Sequence, residues 1–475
     1  MKFLVPAFFA SLFSVLSFAQ DRKLAPVEIE IQRLIQDAAL KHGSVSFTAV
    51  NLDNGKVIAD HNAFKAMVPA SLAKLSTTWI ALKQLGENHV FKTRILHTGE
   101  VVDGTLNGNL IVVAGGDPSL GSRYVSSTDP MVKIKTAISE AGIQSVNGKL
   151  IIDESIYHAQ TTPRGWIWED MGNYFGASPT ALMWKDNLIE LYLNSGQVGT
   201  PVVLAKPWPE DSPYELSFDI KSADNNKDDA WFFSAPYATS IYGKGTIPAS
   251  KTNFLVKIAD PDPVYSFVRD FKAATGINEI EIERSRTERD YANANTLLEI
   301  TSPPLGDLIA LTNKQSINLY AEALNIALDA SVHHKTVEGG LESMDKYLKK
   351  MKVTQKGTRQ IDGSGNSPSN KLTGQFMIDL LGGIYRDEAF PVFYESLGVG
   401  GQSGTVKWYF KNGEAAGNLH AKSGSMTGVR NYAGYVKNKY DETIAFCLMM
   451  NDYDENRKAA LMKKFETIIE ACIQD

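Results

Sequence analysis

An α+β fold is predicted by the order in which sequence patterns follow one another along the 475 residues. Helical spacing and a β-hairpin pattern come first, long helical patterns return after about residue 300, and consecutive strands with a closing helix come last. Between these parts the chain is rich in short strands and turns. Together the observations predict an antiparallel sheet flanked by helices, interrupted by a mainly β insertion of one or two smaller domains.

The N-terminal part predicts a helix, a hairpin and a second helix. Apolar residues recur at helical spacing in 27–38, and alternation in 45–49 and 56–60 around a tight turn predicts the hairpin. A second helical stripe runs through 72–85, and Gly86 closes it.

The remaining elements are predicted from the same periodicities. Within the insertion, helical patterns recur near 130–141 and 264–275. Later elements are helices at 305–311 and 319–327 around a polar break at 312–315, helices at about 338–351 and 373–385, strands at 420–422, 432–436 and 444–449, and a helix at about 455–472.

The composition is typical of a globular protein, with 43% hydrophobic and 21% charged residues. A net charge of −6 without a basic block argues against nucleic acid as a partner. The eight histidines form no ligand-spaced cluster, so we predict no metal site and no cofactor. We interpret Cys447 and Cys472 as buried core residues, while a disulfide between them stays open in an exported chain.

Residues 1–19 are typical of a secretory signal peptide. Lys2 supplies the positive region, 4–18 the apolar region, and small residues precede a predicted cut between Ala19 and Gln20. The alternative is an uncleaved anchor, but the apolar stretch is shorter than the roughly 20 residues that a membrane span needs. We expect a soluble chain in the periplasm or another extracytoplasmic compartment, with membrane association left open.

The candidate nucleophile is Ser71, at the start of the second predicted helix. A spacing of three places Lys74 one turn away on the same face. Such an amine can take the hydroxyl proton if its pKa is lowered from about 10.4 by burial or by a second cation. The spacing alone is weak evidence, because Ser343 and Lys346 share it in a Lys-rich stretch that we interpret as a solvated helix face.

Two downstream motifs strengthen this assignment. Ser316-Ile317-Asn318 lies between two predicted helices, and Lys422-Ser423-Gly424-Ser425 lies at the end of a predicted strand. S-x-N also occurs at 145–147 and 364–366, whereas K-[ST]-G occurs once. The three motifs in this order are typical of serine penicillin-binding proteins and class A β-lactamases.

The sequence resembles the D-alanyl-D-alanine carboxypeptidase/endopeptidase family, the class C low-molecular-mass serine penicillin-binding proteins. The resemblance implies a penicillin-recognising transpeptidase-like domain, which we place at 20–90 and 300–475, around inserted domains at 91–299. The long insertion is itself a mark of this family. The stretches that carry the resemblance are 115–120, 302–305, 316–322, 362–365 and 401–405, besides the three motifs.

The resemblance also implies a role for each motif residue. Ser71 attacks the scissile D-Ala-D-Ala amide, Lys74 takes its proton, and Ser316 passes a proton to the departing amine. Backbone N–H groups of Ser71 and Ser425 form the oxyanion hole. The implied partners are peptidoglycan stem peptides and β-lactam antibiotics, which acylate the same serine. The implied substrate-binding residues are Asn318, Lys422, Ser423, Gly424 and Ser425.

Two positions depart from the family pattern. Ser423 stands where threonine is common, and its hydroxyl preserves the expected contact to the substrate carboxylate beside Lys422. Pro368 stands where arginine is usual, so the preferred stem-peptide side chain stays open. We interpret Trp166 and Trp168 as packing against the inserted domain rather than as a glycan-stacking pair.

Three functions differ in their chemical requirements. An exported D-Ala-D-Ala carboxypeptidase, with endopeptidase activity open, uses all three motifs. A β-lactamase or esterase on the same scaffold needs fast deacylation, for which we can place no Glu-bearing motif. A non-catalytic cell-wall binding protein needs no nucleophile. The sequence therefore favours the first.

Overall fold

The computed structural model describes residues 24–126 and 129–475, so the predicted signal peptide at 1–19 lies outside the described residues. No helix of the described residues has the length and apolarity needed to cross a bilayer. The α-helices are α1 Pro26–Ile35, α2 Lys74–Leu85, α3 Pro130–Glu140, α4 Trp168–Met171, α5 Pro263–Thr275, α6 Leu305–Gln315, α7 Asn318–Ala327, α8 Val337–Lys350, α9 Gly374–Tyr385, α10 Phe390–Glu395 and α11 Lys458–Ile473. The strands are β1 Ser44–Asn51, β2 Val57–His61, β3 Lys92–His97, β4 Glu100–Val102, β5 Thr105–Asn107, β6 Leu110–Val113, β7 Ser145–Val146, β8 Lys149–Asp153, β9 Leu188–Asn194, β10 Val203–Leu204, β11 Glu215–Ala223, β12 Asp229–Phe233, β13 Ser240–Pro248, β14 Phe254–Ala259, β15 Glu281–Ser285, β16 Asn295–Thr301, β17 Gly398–Val399, β18 His420–Met426, β19 Val429–Lys437 and β20 Thr443–Asn451.

One six-stranded sheet joins the N-terminal hairpin to the C-terminal strands. Its order is β17-β18-β19-β20-β1-β2, and all neighbours are antiparallel. β1 pairs along its whole length with β20, so that Ser44 lies opposite Asn451 and Thr48 opposite Cys447. The predicted antiparallel sheet is confirmed.

Helices cover both faces of this sheet, because successive side chains of a strand point to opposite faces and both sets are apolar here. Phe47, Phe446 and Phe465 lie in one core, which α1 and α11 cover. Cys447 and Met449 point the other way, into a core that they share with α2, α7 and α9. The predicted α+β architecture, a sheet flanked by helices, is confirmed.

The strands between Lys92 and Thr301 pair only with one another among the described residues. They form a five-stranded sheet, β15-β8-β6-β3-β16, and three three-stranded sheets, β10-β9-β14, β11-β13-β12 and β4-β5-β7. α3 and α5 are the two helices that the sequence predicts in this stretch. Its mainly β character is confirmed.

The polar break predicted at 312–315 is wrong. α6 continues through these residues and ends at Ser316, whose φ of 61° leaves the right-handed helix. Thr312 donates its hydroxyl to the carbonyl four residues earlier, and the Asn313 amide donates to the Ser396 hydroxyl at 2.9 Å. These polar side chains are buried partners within the helix, so they do not end it.

Cys447 and Cys472 are both buried and unpaired. Cys447 of β20 lies in the core beneath α2 and α9, whereas Cys472 of α11 lies in the core on the opposite face of the sheet. The prediction that both are core residues is confirmed. The sheet separates the two sulfurs, so they form no disulfide.

We expect neither thiol to react with dithiobis-nitrobenzoate in the native protein, because burial raises the pKa of both thiols and hides them from the reagent. Both should react after denaturation, and dithiothreitol should leave the thermal midpoint unchanged. A native thiol that reacts, or a midpoint lowered by the reductant, would contradict this placement.

Candidate active site

The segment that contains Ser71 is a short 3₁₀ turn, Ala70–Ala73, that leads directly into α2. Ala70 has a φ of 46°, a left-handed conformation that costs energy for a residue with a Cβ. A Cβ on Gly365 would lie 1.9 Å from the Ala70 carbonyl oxygen, and one on Gly424 would lie 3.1 Å from the Ser71 nitrogen. Two backbone segments therefore hold the turn, and the Ser71 side chain is half-buried between them.

Lys74 begins α2 and is fully buried. Its Nζ lies 2.9 Å from Ser71 Oγ and donates to Asn318 Oδ1 at 2.6 Å and to the Ser364 carbonyl oxygen at 2.7 Å. The last two oxygens can only accept, so they occupy two of the amine hydrogens. The remaining position of the amine faces the Ser71 hydroxyl, which can donate to a neutral amine.

Burial lowers the pKa of Lys74 to about 7, against the opposing effect of the Asp362 and Glu322 carboxylates. An amine with this pKa is largely unprotonated in mildly basic solution, which a general base requires. The lowered pKa that the sequence argument required of Lys74 is thus present in the structure.

Two buried carboxylates lie behind Lys74, and the sequence analysis assigned a role to neither. Glu322 of α7 accepts hydrogen bonds from the backbone N–H groups of Gly363 and Ser364 at 2.9 and 2.7 Å. Burial raises the pKa of both carboxyl groups, and Asp362 further raises that of Glu322, to about 8. Asp362 accepts from the Trp166 and Asn370 side chains and from the backbone N–H groups of Gly365 and Ser367.

These bonds fix the loop that aims the Ser364 carbonyl at Lys74. Both acids lie in stretches that carry the family resemblance, and that resemblance was the only signal that could have drawn attention to them. Trp166 is buried and donates to Asp362, which lies outside the inserted stretch, whereas Trp168 is half-exposed beside Phe233 of that stretch.

Ser316 ends α6 in a left-handed conformation that brings its side chain to β18. Lys422 Nζ donates to Ser316 Oγ at 2.8 Å and to the Ser423 carbonyl oxygen at 2.7 Å. Lys422 is fully buried, and burial lowers its pKa well below the usual range, with the Lys74 and Arg430 charges lowering it further. The site therefore contains two buried amines, each beside a serine hydroxyl.

Asn318 begins α7 and connects Lys74 to the inserted stretch. Its Oδ1 accepts from Lys74, and its Nδ2 donates to the Phe175 carbonyl oxygen at 2.7 Å and to Asn366 Oδ1 at 3.2 Å. Phe175 belongs to the 91–299 stretch, so the insertion contributes directly to the wall of the site.

The residues 422–425 lie inside β18 rather than at its end, because the strand extends to Met426. β17 pairs only with the first two residues of β18, so from Lys422 onward that edge has no neighbouring strand among the described residues. Gly424 stands against the Ser71 turn, and Ser425 is exposed. The open edge therefore runs beside the candidate nucleophile.

The structure brings the three motifs together at one place. Hydrogen bonds join Lys74 to both Ser71 and Asn318, and Lys422 to Ser316, while Ser423, Gly424 and Ser425 follow along the same strand. The competing pair lies elsewhere: Ser343 and Lys346 are on α8, where the Lys346 side chain is 70% exposed and pairs with Glu342. Its interpretation as a solvated face is confirmed.

The chain belongs to the D-Ala-D-Ala carboxypeptidase 3 (S13) family, whose model matches residues 27–471. The family predicted from the motifs is confirmed. The predicted class of enzyme, a serine D-Ala-D-Ala carboxypeptidase of the penicillin-binding type, is confirmed with it.

Relatives and solved structures agree with this assignment. The chain is 26% identical over 447 residues to D-alanyl-D-alanine carboxypeptidase DacB of Haemophilus influenzae, covering 90% of each. A crystal structure of penicillin-binding protein 4 (dacB) from that organism matches with a TM-score of 0.81 at 24% identity, over 95% of this chain and 100% of that one. A structure of the same protein complexed with a β-lactam matches with a TM-score of 0.77 at 23% identity, over the same shares. The likeness to these structures confirms the fold.

Replacing Asp362 by asparagine should lower the free energy of unfolding by about 2–4 kcal/mol, measured by urea denaturation. The carboxylate accepts from four N–H donors, and the amide group of asparagine would turn its own hydrogens toward some of them. The lost charge should also lower the pKa of Lys74. The acid limb of the pH–rate profile for β-lactam acylation should then move to lower pH. Asp219→Asn, at an exposed position, is the matched control; an Asp362→Asn variant that behaves like this control would contradict the assignment.

Proposed function

We propose that this chain is an exported serine D-Ala-D-Ala carboxypeptidase that works through an acyl-enzyme on Ser71. The arrangement around the Lys74 amine carries the proposal: two acceptor oxygens take two of its hydrogens, and the Ser71 hydroxyl lies 2.9 Å away at the remaining position. A neutral amine so held presents its lone pair to the hydroxyl proton. Membership of the family supports this reaction.

Acylation begins when Ser71 Oγ bonds to the carbonyl carbon of the penultimate D-Ala and its proton passes to Lys74 Nζ. The N–H groups of Ser71 and Ser425 stabilise the oxyanion, an effect worth roughly 3–4 kcal/mol per donor. The C–N bond then breaks, and the proton taken by Lys74 passes through the Ser316 hydroxyl, beside Lys422, to the departing D-Ala amine, so that Lys74 is neutral again. A water molecule next attacks the ester, and one of its protons returns to Ser71 Oγ.

The substrate we propose is the peptidoglycan stem peptide. The open edge of β18 suits an extended peptide, because an unpaired strand offers backbone donors and acceptors in a row. Lys422 and Ser423 hold the terminal carboxylate and Asn318 contacts the acyl side. Gly424, whose missing Cβ leaves room for the Ser71 turn, brings the strand beside the nucleophile. A β-lactam mimics the substrate and acylates Ser71, and the ester that results is hydrolysed slowly. Cleavage of D-Ala-containing cross-links uses the same bond chemistry, so we assign the endopeptidase reaction to the same site.

We assign an extracytoplasmic location to this chain, with residues 1–19 removed as a signal peptide during export. We also assign 20–90 and 300–475 to a catalytic domain around an insertion at 91–299. The strand pairing supports this division, because the hairpin and the C-terminal strands share one sheet while the strands between Lys92 and Thr301 form others.

Ser71→Ala should lower the hydrolysis of a D-Ala-D-Ala pentapeptide on the order of 10⁶-fold, because the nucleophilic oxygen is removed. It should also abolish the mass increase that benzylpenicillin produces in the intact wild-type protein. Ser343→Ala removes the serine of the solvated S-x-x-K pair and should behave as wild type. Hydrolysis retained by Ser71→Ala, or a penicilloyl group located on another residue, would overturn the proposal.

The rate of acylation by benzylpenicillin should rise with pH through about 7, the pKa to which burial lowers that of Lys74. Below this pH Lys74 is protonated and cannot accept the Ser71 proton; above it the amine is free. Stopped-flow acylation rates across this range measure the titration. A rate that stays constant on both sides of pH 7 would exclude Lys74 as the base.

A further inference from the structure

A cavity of about 560 Å³ lies in the inserted stretch, away from the residues that form the proposed active site. It is bordered by β9, by the segment 204–214 and by α5, and its volume is that of a small-molecule site. Aromatic side chains form much of its wall, namely Trp184, Tyr192, Trp208, Tyr214 and Tyr265. Such a wall offers broad, flat apolar faces to a ligand.

The polar ends of three of these rings are hydrogen-bonded within the protein. Tyr214 donates its hydroxyl to Asp260 at 2.9 Å, and Trp208 Nε1 donates to the Tyr214 carbonyl oxygen at 2.9 Å. Tyr265 donates its hydroxyl to the Asp211 carbonyl oxygen at 2.8 Å. These bonds fix the rings. Trp184 and Tyr214 are buried, whereas Tyr192, Trp208 and Tyr265 are partly exposed and leave a face for contact. The C–H face of a pyranose ring is a surface that packs well on fixed aromatic faces.

Lys206 borders the cavity, as does the Glu190 carboxylate, which accepts from the Tyr192 hydroxyl at 2.8 Å. Lys206 is exposed, its Nζ lies 4.1 Å from the centroid of the Tyr192 ring, and it makes no ion pair with any described residue. By contrast, Lys185 and Arg269 both pair with Asp270. A ligand that carries a carboxylate can therefore pair with Lys206.

A strained turn beneath the cavity connects it to the active-site helix α7. The residues 185–187 have successive φ values of 49°, 61° and 53°, a left-handed run that L-residues adopt only where surrounding contacts enforce it. Asp186 accepts from the Ser122 hydroxyl at 2.5 Å, and Ser122 accepts from the Tyr320 hydroxyl at 2.7 Å. Tyr320 stands two residues after Asn318, so the cavity is held in a fixed relation to the proposed site.

We propose that this cavity binds the saccharide of peptidoglycan, with a sugar ring on Trp208 and a carboxylate of the stem peptide toward Lys206, because the lactyl carboxyl of an intact muropeptide is taken up in the amide bond to the peptide. The identity of the ligand rests on the proposed function, because each stem peptide is joined to such a saccharide. Binding at both sites makes the second contact intramolecular, so it tightens the binding of the whole substrate without changing the chemistry at Ser71.

Two substrates with the same stem peptide test this proposal, a disaccharide-pentapeptide and the free pentapeptide. In Trp208→Ala and Lys206→Gln, KM for the disaccharide-pentapeptide should rise about tenfold while kcat stays unchanged. Both constants for the free pentapeptide should equal those of wild type, which also shows that the variants fold. Trp168→Ala, at a half-exposed tryptophan outside the cavity, is the matched control and should leave all constants unchanged.

A binding measurement separates this proposal from the proposed function. Peptide-free glycan with free lactyl carboxylates is titrated into Ser71→Ala protein, and into the same protein with Trp208→Ala added, with tryptophan fluorescence as the readout. Saturable binding that is lost with Trp208→Ala supports the cavity even if no peptide is hydrolysed. Equal KM values for the two substrates in wild type, or glycan binding that survives Trp208→Ala, would overturn the saccharide assignment and leave the catalytic proposal intact.

Discussion

The removal of the Lys74 amine from water is the constraint on which the rest of the site depends. A buried ammonium is costly, by several kcal/mol in a real protein, and the group responds by giving up its proton more readily. Burial alone would leave the amine without hydrogen-bond partners. The Asn318 and Ser364 oxygens supply two acceptors and the Ser71 hydroxyl completes the set, so the neutral amine is fully satisfied at the position of the proposed base.

Three distant segments must meet for that arrangement to form, and the central sheet brings them together. β1 precedes the proposed nucleophile, Ser71, and β20 follows the Lys422 strand, so their full-length pairing closes the chain around the insertion. The entropic cost of closing a loop grows only with the logarithm of its length, which is why an insertion of this size is compatible with a stable sheet. From Lys422 onward, the edge of β18 opposite β19 then remains unpaired among the described residues, and this is the edge on which we propose that the peptide binds.

The insertion contributes to the site as well as interrupting the sequence. Its Phe175 carbonyl oxygen receives a hydrogen bond from Asn318, and its Trp166 donates to Asp362. A third connection runs from Asp186 to α7. Each contact involves a buried or half-buried polar group, for which a lost partner is expensive, so the position of the insertion and the geometry of the site are coupled.

The sequence by itself determined the elements and the motif residues. Helical and strand periodicities are set by neighbours within one turn or one strand, and the spacing of Ser71 and Lys74 places them on one helix face whatever surrounds them. The polar break at 312–315 was misplaced because burial turns polar side chains into partners. Only the tertiary structure decided the Ser364 carbonyl contact, the left-handed Ser316 and the carboxylates behind Lys74. These depend on desolvation and on packing between segments far apart in the chain, which no local pattern records.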